Sequence, residues 1–166
     1  MEILIAGLIL VAFMAYASTR IKRSAAKAFE AETVETQTFV IKKPDGFLNV
    51  INGDPQFAFE AYSKEFGTGD ASAIRLGTAT IKISNAASEP VVTGTEIASD
   101  IKEVIGEKHY RLIEGKRVTK GTEFRVLYKI AEGQGKVFVL EITALPEAPD
   151  EFSSKIESML DSFEIK

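Results

Sequence analysis

The 166-residue chain has no cysteine, no tryptophan and a single histidine. Without cysteine there is no disulfide, no thiolate nucleophile, no Cys-based zinc site and no lipid anchor through a Cys. One histidine, His109, cannot make a His cluster for a metal, and between Lys108 and Tyr110 it has no evident partner to orient it as a general base. Glycine patterns that cradle phosphate are missing too. Gly133-Gln134-Gly135 reads as a hairpin turn with no helix behind it, Gly67-Thr68-Gly69-Asp70 as a loop, and no D-x-D-x-D-G calcium loop occurs. The expectation is a chain without catalytic residues, cofactor or metal, and not an enzyme.

What is present is apolar and unevenly spread. Hydrophobic residues are 45% and charged residues 27%, which suits one folded domain of this length. Residues 3–17 carry no charge. As a helix at ~1.5 Å per residue they reach about 25 Å, the short end of what spans a bilayer core of roughly 30 Å. Arg20, Lys22, Arg23 and Lys27 follow within eight residues. Lys and Arg stay on the cytoplasmic side, so the pattern predicts a single-pass bacterial inner-membrane protein with its N-terminus out and its main domain in the cytoplasm. The same four residues are the expected membrane-interface contacts to anionic lipid headgroups. A cleaved signal peptide is the rival reading, since Ala15-Tyr16-Ala17 precedes Ser18, but no Lys or Arg precedes the apolar run.

Three segments are expected: a transmembrane anchor over 1–20, a cytoplasmic helical stalk over 21–35, and an α+β domain over 36–166. Beyond residue 27 the chain holds 16 basic against 23 acidic residues, a net of −7. Such a domain repels phosphate backbones, so nucleic acid is excluded as a partner.

Within the domain, residues 36–42 are β-branched and aromatic, followed by Lys43-Pro44-Asp45-Gly46 turn chemistry. Residues 56–66 are open between a helix after Asp54-Pro55 and a strand in which Phe57, Phe59 and Ala61 alternate. Residues 73–84 read as strand, with Gly77 a candidate bulge. After Thr95, Ile97, Ile101, Val104 and Ile105 fall at i, i+4, i+7 and i+8, which predicts an amphipathic helix. Residues 109–119, 122–131 and 136–144 form a strand meander around turns at Lys120-Gly121 and 132–135. Asp150 then caps a last helix with Phe152, Ile156, Met159, Leu160 and Phe163 as its apolar stripe. The sum is an antiparallel sheet packed with helices.

The run Phe39-Val40-Ile41-Lys42-Lys43-Pro44-Asp45-Gly46-Phe47 resembles the strand–Pro–turn–aromatic entry of the PsbP-like family, with Phe47 where that family usually has Trp. The stretch from Lys136 to Lys166, a strand, a Pro-containing turn, an amphipathic helix and Ser162-Phe163, is similar to the family's end. About 40 residues carry the resemblance. It implies an α-β-α sandwich and accessory or assembly roles rather than catalysis. Members are usually exported or lumenal, which conflicts with the cytoplasmic orientation. No ligand motif aligns, so no binding residue is carried over.

One surface stands out in the acidic domain. Lys108, Arg111, Lys116, Arg117 and Lys120 crowd one strand pair against Glu114, a candidate docking patch for lipid or an acidic partner. A cluster of Phe57, Phe59, Tyr62 and Phe66 reads as core or as a partner-binding edge. The leading expectation is a membrane-anchored accessory subunit of a larger complex of integral membrane proteins, photosynthetic or respiratory. Alternatives are a tethered adaptor that recruits a soluble partner, or a small-molecule-binding or enzymatic domain.

Overall fold

Two short turns set the long ladder at the middle of the molecule. Lys120 and Gly121 take φ of 50° and 80°, and Gln134 and Gly135 take 55° and 71°. Positive φ at both central positions matches a two-residue turn to the twist of its strands. The turns join β9 (Lys108–Thr119), β10 (Thr122–Gly133) and β11 (Lys136–Ala144) into the antiparallel meander expected from the sequence. A computed structural model of the chain describes residues 11, 13–20, 24, 26–66, 74–85, 92 and 94–166.

The meander is the body of a seven-stranded sheet. β11 pairs with β7 (Gly77–Asn85), β7 with β4 (Phe59–Ser63), and β4 with β3 (Phe47–Asn49). On the other side β9 pairs with β8 (Glu96–Ile105), giving the order β3-β4-β7-β11-β10-β9-β8 with every pairing antiparallel. A three-stranded sheet of β1 (Glu32–Glu35), β2 (Phe39–Lys43) and β12 (Glu164–Ile165) lies beside it, and β5 (Glu65–Phe66) pairs with β6 (Ile74–Arg75).

The main core fills one sheet face. Ala61, Ala79, Ile81, Leu140 and Ile142 from the sheet meet Phe39 and Ile41 from β2, and Ile156, Met159 and Phe163 from the C-terminal end. The cover is helix α1 (Asp150–Asp161), whose expected stripe faces the sheet, with Phe152 and Leu160 partly buried at its margins. The Phe152 ring stacks on Phe47 at 5.3 Å between centroids. Gly77, the candidate bulge, instead opens β7 in regular register and leaves room for Phe152, whose ring a Cβ at Gly77 would meet at 3.0 Å. Asp150 is not the cap. Pro149 holds that position with extended ψ, and Asp150 and Glu151 place negative charge in the first turn.

Lys129 supplies the missing charge at the other end of α1. The helix has no basic residue in its last turn. The Lys129 side chain rises from β10 and its Nζ donates to the Leu160 and Asp161 carbonyls, both at 3.1 Å, with the Tyr110 ring 4.8 Å away. Burial holds its ammonium below the ordinary lysine pKa.

The opposite face carries a smaller core of Ile113, Val126, Tyr128, Ile130 and Val137, with Val92 and Phe124 against it.

Several expectations are corrected. The α-β-α sandwich is instead mostly antiparallel sheet, and among the described residues α1 is the one helix laid on it. The helix expected after Thr95 is strand β8, and residues 59–63 take the strand alternative. Helical residues occur at 11, 13–20, 24 and 26–28, but the helical stalk expected over 21–35 gives way to β1 at Glu32. The transmembrane anchor is not found: among the described residues no helix is long and apolar enough to cross a membrane. The first ten residues of that segment lie outside the described residues. The single-pass inner-membrane location, and the orientation drawn from its flanking charges, therefore lose their basis.

Candidate functional site

The five basic residues expected as a docking patch do not share one surface. Alternation along β9 sends Arg111 and Arg117 to the face away from α1, where Ile113 lies, and Lys108 and Lys116 to the α1 side with Tyr110. Lys120 sits in the β9–β10 turn. The strand charges also have close partners. Lys108 Nζ donates to the Ile165 carbonyl, which ties the start of β9 to the tail strand β12. Arg111 forms a two-pronged pair with Asp100 of β8, at 2.9 and 2.6 Å. Lys116 pairs with Glu123 at 3.0 Å. Arg117 reaches across β10 to Glu141 of β11 at 2.5 Å.

Arg117 anchors a polar row on that second face. Its guanidinium also donates to the Tyr128 hydroxyl at 3.4 Å, and Tyr128 lies 3.3 Å from the Thr95 hydroxyl. One register further, Thr78 and Thr143 share a hydrogen bond of 2.6 Å. Burial raises the Tyr128 phenol above its ordinary pKa. On the α1 side Arg125 reaches Glu114 at 2.7 Å and Glu157 of α1 at 3.4 Å. These groups are spent on each other: among the described residues no buried side-chain nitrogen or oxygen lacks a partner. The row works as a cross-strand clasp that fixes β9, β10 and β11 in register.

Of the expected membrane-interface residues, Arg20 and Lys27 are exposed and helical, while Lys22 and Arg23 lie outside the described residues. Ahead of them, Val11, Phe13, Met14 and Tyr16 are exposed as well, Phe13 at 67% and Tyr16 at 63%. The end of this segment is rooted in the domain. The Gly46 amide donates to the Phe29 carbonyl at 2.8 Å, Lys43 Nζ to the Glu30 carbonyl, and the Lys64 ammonium stands 4.9 Å from the Phe29 ring centroid. Lys43 is itself buried, and its Nζ also donates to the Phe47 carbonyl at 2.7 Å. In the aromatic cluster, Phe59 is core, Phe57 and Tyr62 are half-buried under Lys82 and Arg75, and the Phe66 side chain lies outside the described residues.

No family model matches the sequence. No curated protein matches it either. Solved structures do. The solution structure of cyanobacterial PsbP (CyanoP) from Synechocystis sp. PCC 6803 superposes with a TM-score of 0.60 at 12% identity, over 83% of this chain and 94% of that one. The fold is PsbP-like. LpqN, involved in cell envelope biogenesis of Mycobacterium tuberculosis, superposes with a TM-score of 0.56 at 13% identity, over 82% of this chain and 91% of its own. The PsbP-like likeness thus extends well past the two ends that carry it in the sequence, into the meander between them.

Sequence reasoning missed one surface of this PsbP-like domain. β8 is an edge strand whose Ile97, Ile101, Val104 and Ile105 all meet solvent, Ile101 at 58% and Val104 at 60%. The signal that could have found it is Gly106, whose φ of 62° makes a tight turn between two runs of similar length.

Proposed function

We propose that this chain is a non-catalytic accessory protein that seats a PsbP-like domain on a larger protein assembly through its N-terminal helical segment. The observation that carries this reading is the exposed apolar set Val11, Phe13, Met14 and Tyr16 on a segment whose far end is fixed to the domain at Phe29 and Glu30. Large apolar side chains on helical residues are matched by burial against a partner. A partner gripping those side chains holds the domain beside it through the chain that enters at Phe29 and Glu30. The polar groups of the sheet support the non-catalytic part, because Arg117, Tyr128, Glu141, Arg125 and Lys129 each hold another element in place.

The test is native electrophoresis of a tagged chain extracted gently from its own cells. The full chain is expected in a species far larger than itself, with a fixed set of companions. The double variant Phe13→Asp, Tyr16→Asp is expected to run free while its domain melts at the unaltered temperature. A wild-type chain that migrates alone overturns the reading.

A further inference from the structure

The outer edge of β8 has no strand partner among the described residues, over ten extended residues. An edge of that length is a template for another strand. Natural edges are blunted by charge, proline or cover; β8 has no proline, carries charge at Glu96, Asp100, Lys102 and Glu103, and exposes four Ile or Val. They occur on both faces. Register with β9 places Ile101 and Ile105 on the α1 side and Val104 on the other, with a bulge at Ala98 after which Ile97 also faces away from α1. Gly115 lets β8 approach there, since a Cβ at that position would collide with the Glu96 carbonyl.

The sequence of β8 is complementary to itself. Set antiparallel about Ile101, the strand places Ile101 opposite Ile101, Asp100 opposite Lys102 and Ser99 opposite Glu103, with Ala98 and Val104 closing each end where the bulge begins. Apolar residues meet apolar ones, and opposite charges meet. Moving the axis by one residue in either direction sets Asp100 against Asp100 or Lys102 against Lys102, and like charges directly opposite destabilise a pair. Within one chain Lys102 lies directly across from Arg111, also like charges. Arg111 is met by Asp100 of its own chain, and a second copy's Asp100 would give Lys102 a carboxylate directly opposite.

We propose that β8 is a homodimer seam, pairing with β8 of a second copy about a two-fold axis at Ile101. An axis normal to the sheet keeps both α1 helices on one face and extends the two sheets into one. The contact is small, so the dimer is concentration-dependent.

The absence of cysteine makes the register directly readable in the full chain. Residues directly opposite in an antiparallel pair have Cα atoms about 4.5–5.5 Å apart, inside the disulfide range of roughly 4.4–6.8 Å. Ile101→Cys is expected to cross-link to itself rapidly under mild oxidation. Glu103→Cys alone is not, but Glu103→Cys mixed with Ser99→Cys is. Sedimentation between about 1 and 300 µM, the span over which contacts of this size dissociate, is expected to show dimer growing with concentration. Lys102→Asp is expected to abolish it by facing the second copy's Asp100 with a carboxylate. Within its own chain the same substitution removes the like charge across from Arg111 but also the attraction of Lys102 for its own Asp100, so the variant's melting temperature at monomeric concentration is expected to change little. Sedimentation as a monomer throughout, or equal self-cross-linking of Ile101→Cys and Glu103→Cys, overturns the seam.

Discussion

At the centre of the seven-stranded sheet, Ala79 and Ile81 of β7 and Leu140 and Ile142 of β11 are wholly enclosed, while at the far edge Ile97, Ile101, Val104 and Ile105 of β8 stand in solvent. Both regions are antiparallel strand of similar length and both are rich in branched apolar residues. They differ in what lies over them. β7 and β11 run beneath α1 and beside β2 and β12, so each inward side chain meets a partner element. Among the described residues, β8 pairs with β9 and with no other strand. Strand formation in β8 therefore rests on backbone pairing and the Gly106 turn, with little burial of its apolar side chains by the described residues.

The largest effect that sharpens this contrast is expected at Phe163, which is fully buried and tilts against Phe39 at 6.2 Å. Phe163→Ala removes a ring from the junction of α1, β2 and the sheet and is expected to cost about 3–5 kcal/mol. Ile101→Ala at the edge is expected to stay within about 0.5 kcal/mol, measured by the same chemical denaturation. Equal losses at the two positions would show β8 to be core and end the distinction.

Lys129 comes next. Lys129→Ala takes the Nζ donor from the Asp161 carbonyl and leaves the Leu160 carbonyl to the Phe163 amide at 3.3 Å, a loss of about 1–3 kcal/mol. The group has a pH signature of its own. Burial lowers its folded pKa below the unfolded value, so between the two the unfolded chain binds the extra proton, and stability attributable to Lys129 rises with pH toward about 10.4. Denaturation of wild type and variant at neutral and alkaline pH checks both points. A variant as stable as wild type, with the same alkaline trend, would show that the carbonyls do not need the lysine.

The same contrast explains which parts of the fold could be read from the sequence. Strands β9, β10 and β11 were legible because Lys120-Gly121 and Gln134-Gly135 mark their turns, and α1 because Ile156, Met159 and Phe163 make a one-sided stripe over a real core. β8 was not. With no buried face to impose a period of two, Ile97, Ile101, Val104 and Ile105 fell by chance into helical spacing, and a bulge at Ala98 broke the alternation further. The basic patch failed for a related reason. Five cations close in sequence say nothing of which face each takes or of the carboxylates brought to them, and Glu141 lies 24 residues from Arg117. The polar clasp needed pairing register, which no local pattern contains.

The smallest effects are expected from the exposed ion pairs, and they divide along the same line. Lys155 beside Asp45, Lys166 beside Glu35 and Arg111 beside Asp100 each hold a carboxyl below its ordinary pKa, through hydrogen bonding first and charge second. A depressed carboxylate binds its proton less readily when folded than unfolded. Its contribution is therefore complete above about pH 4 and is lost as the pH falls through the folded value. The melting temperature should decline below about pH 4, and added salt should shrink the decline, because these pairs are exposed. The pairs differ in what they hold. Asp45–Lys155 ties the β2–β3 turn to α1 in the covered region, while Asp100–Arg111 ties only β8 to β9. Asp45→Asn should lower the melting temperature of the whole domain slightly. Asp100→Asn should leave it unchanged and instead speed amide exchange in residues 96–105 relative to residues 136–144, since an edge strand opens without the core. If Asp100→Asn lowered the global melting temperature more than Asp45→Asn, β8 would be part of the cooperative unit and not an arm held beside it.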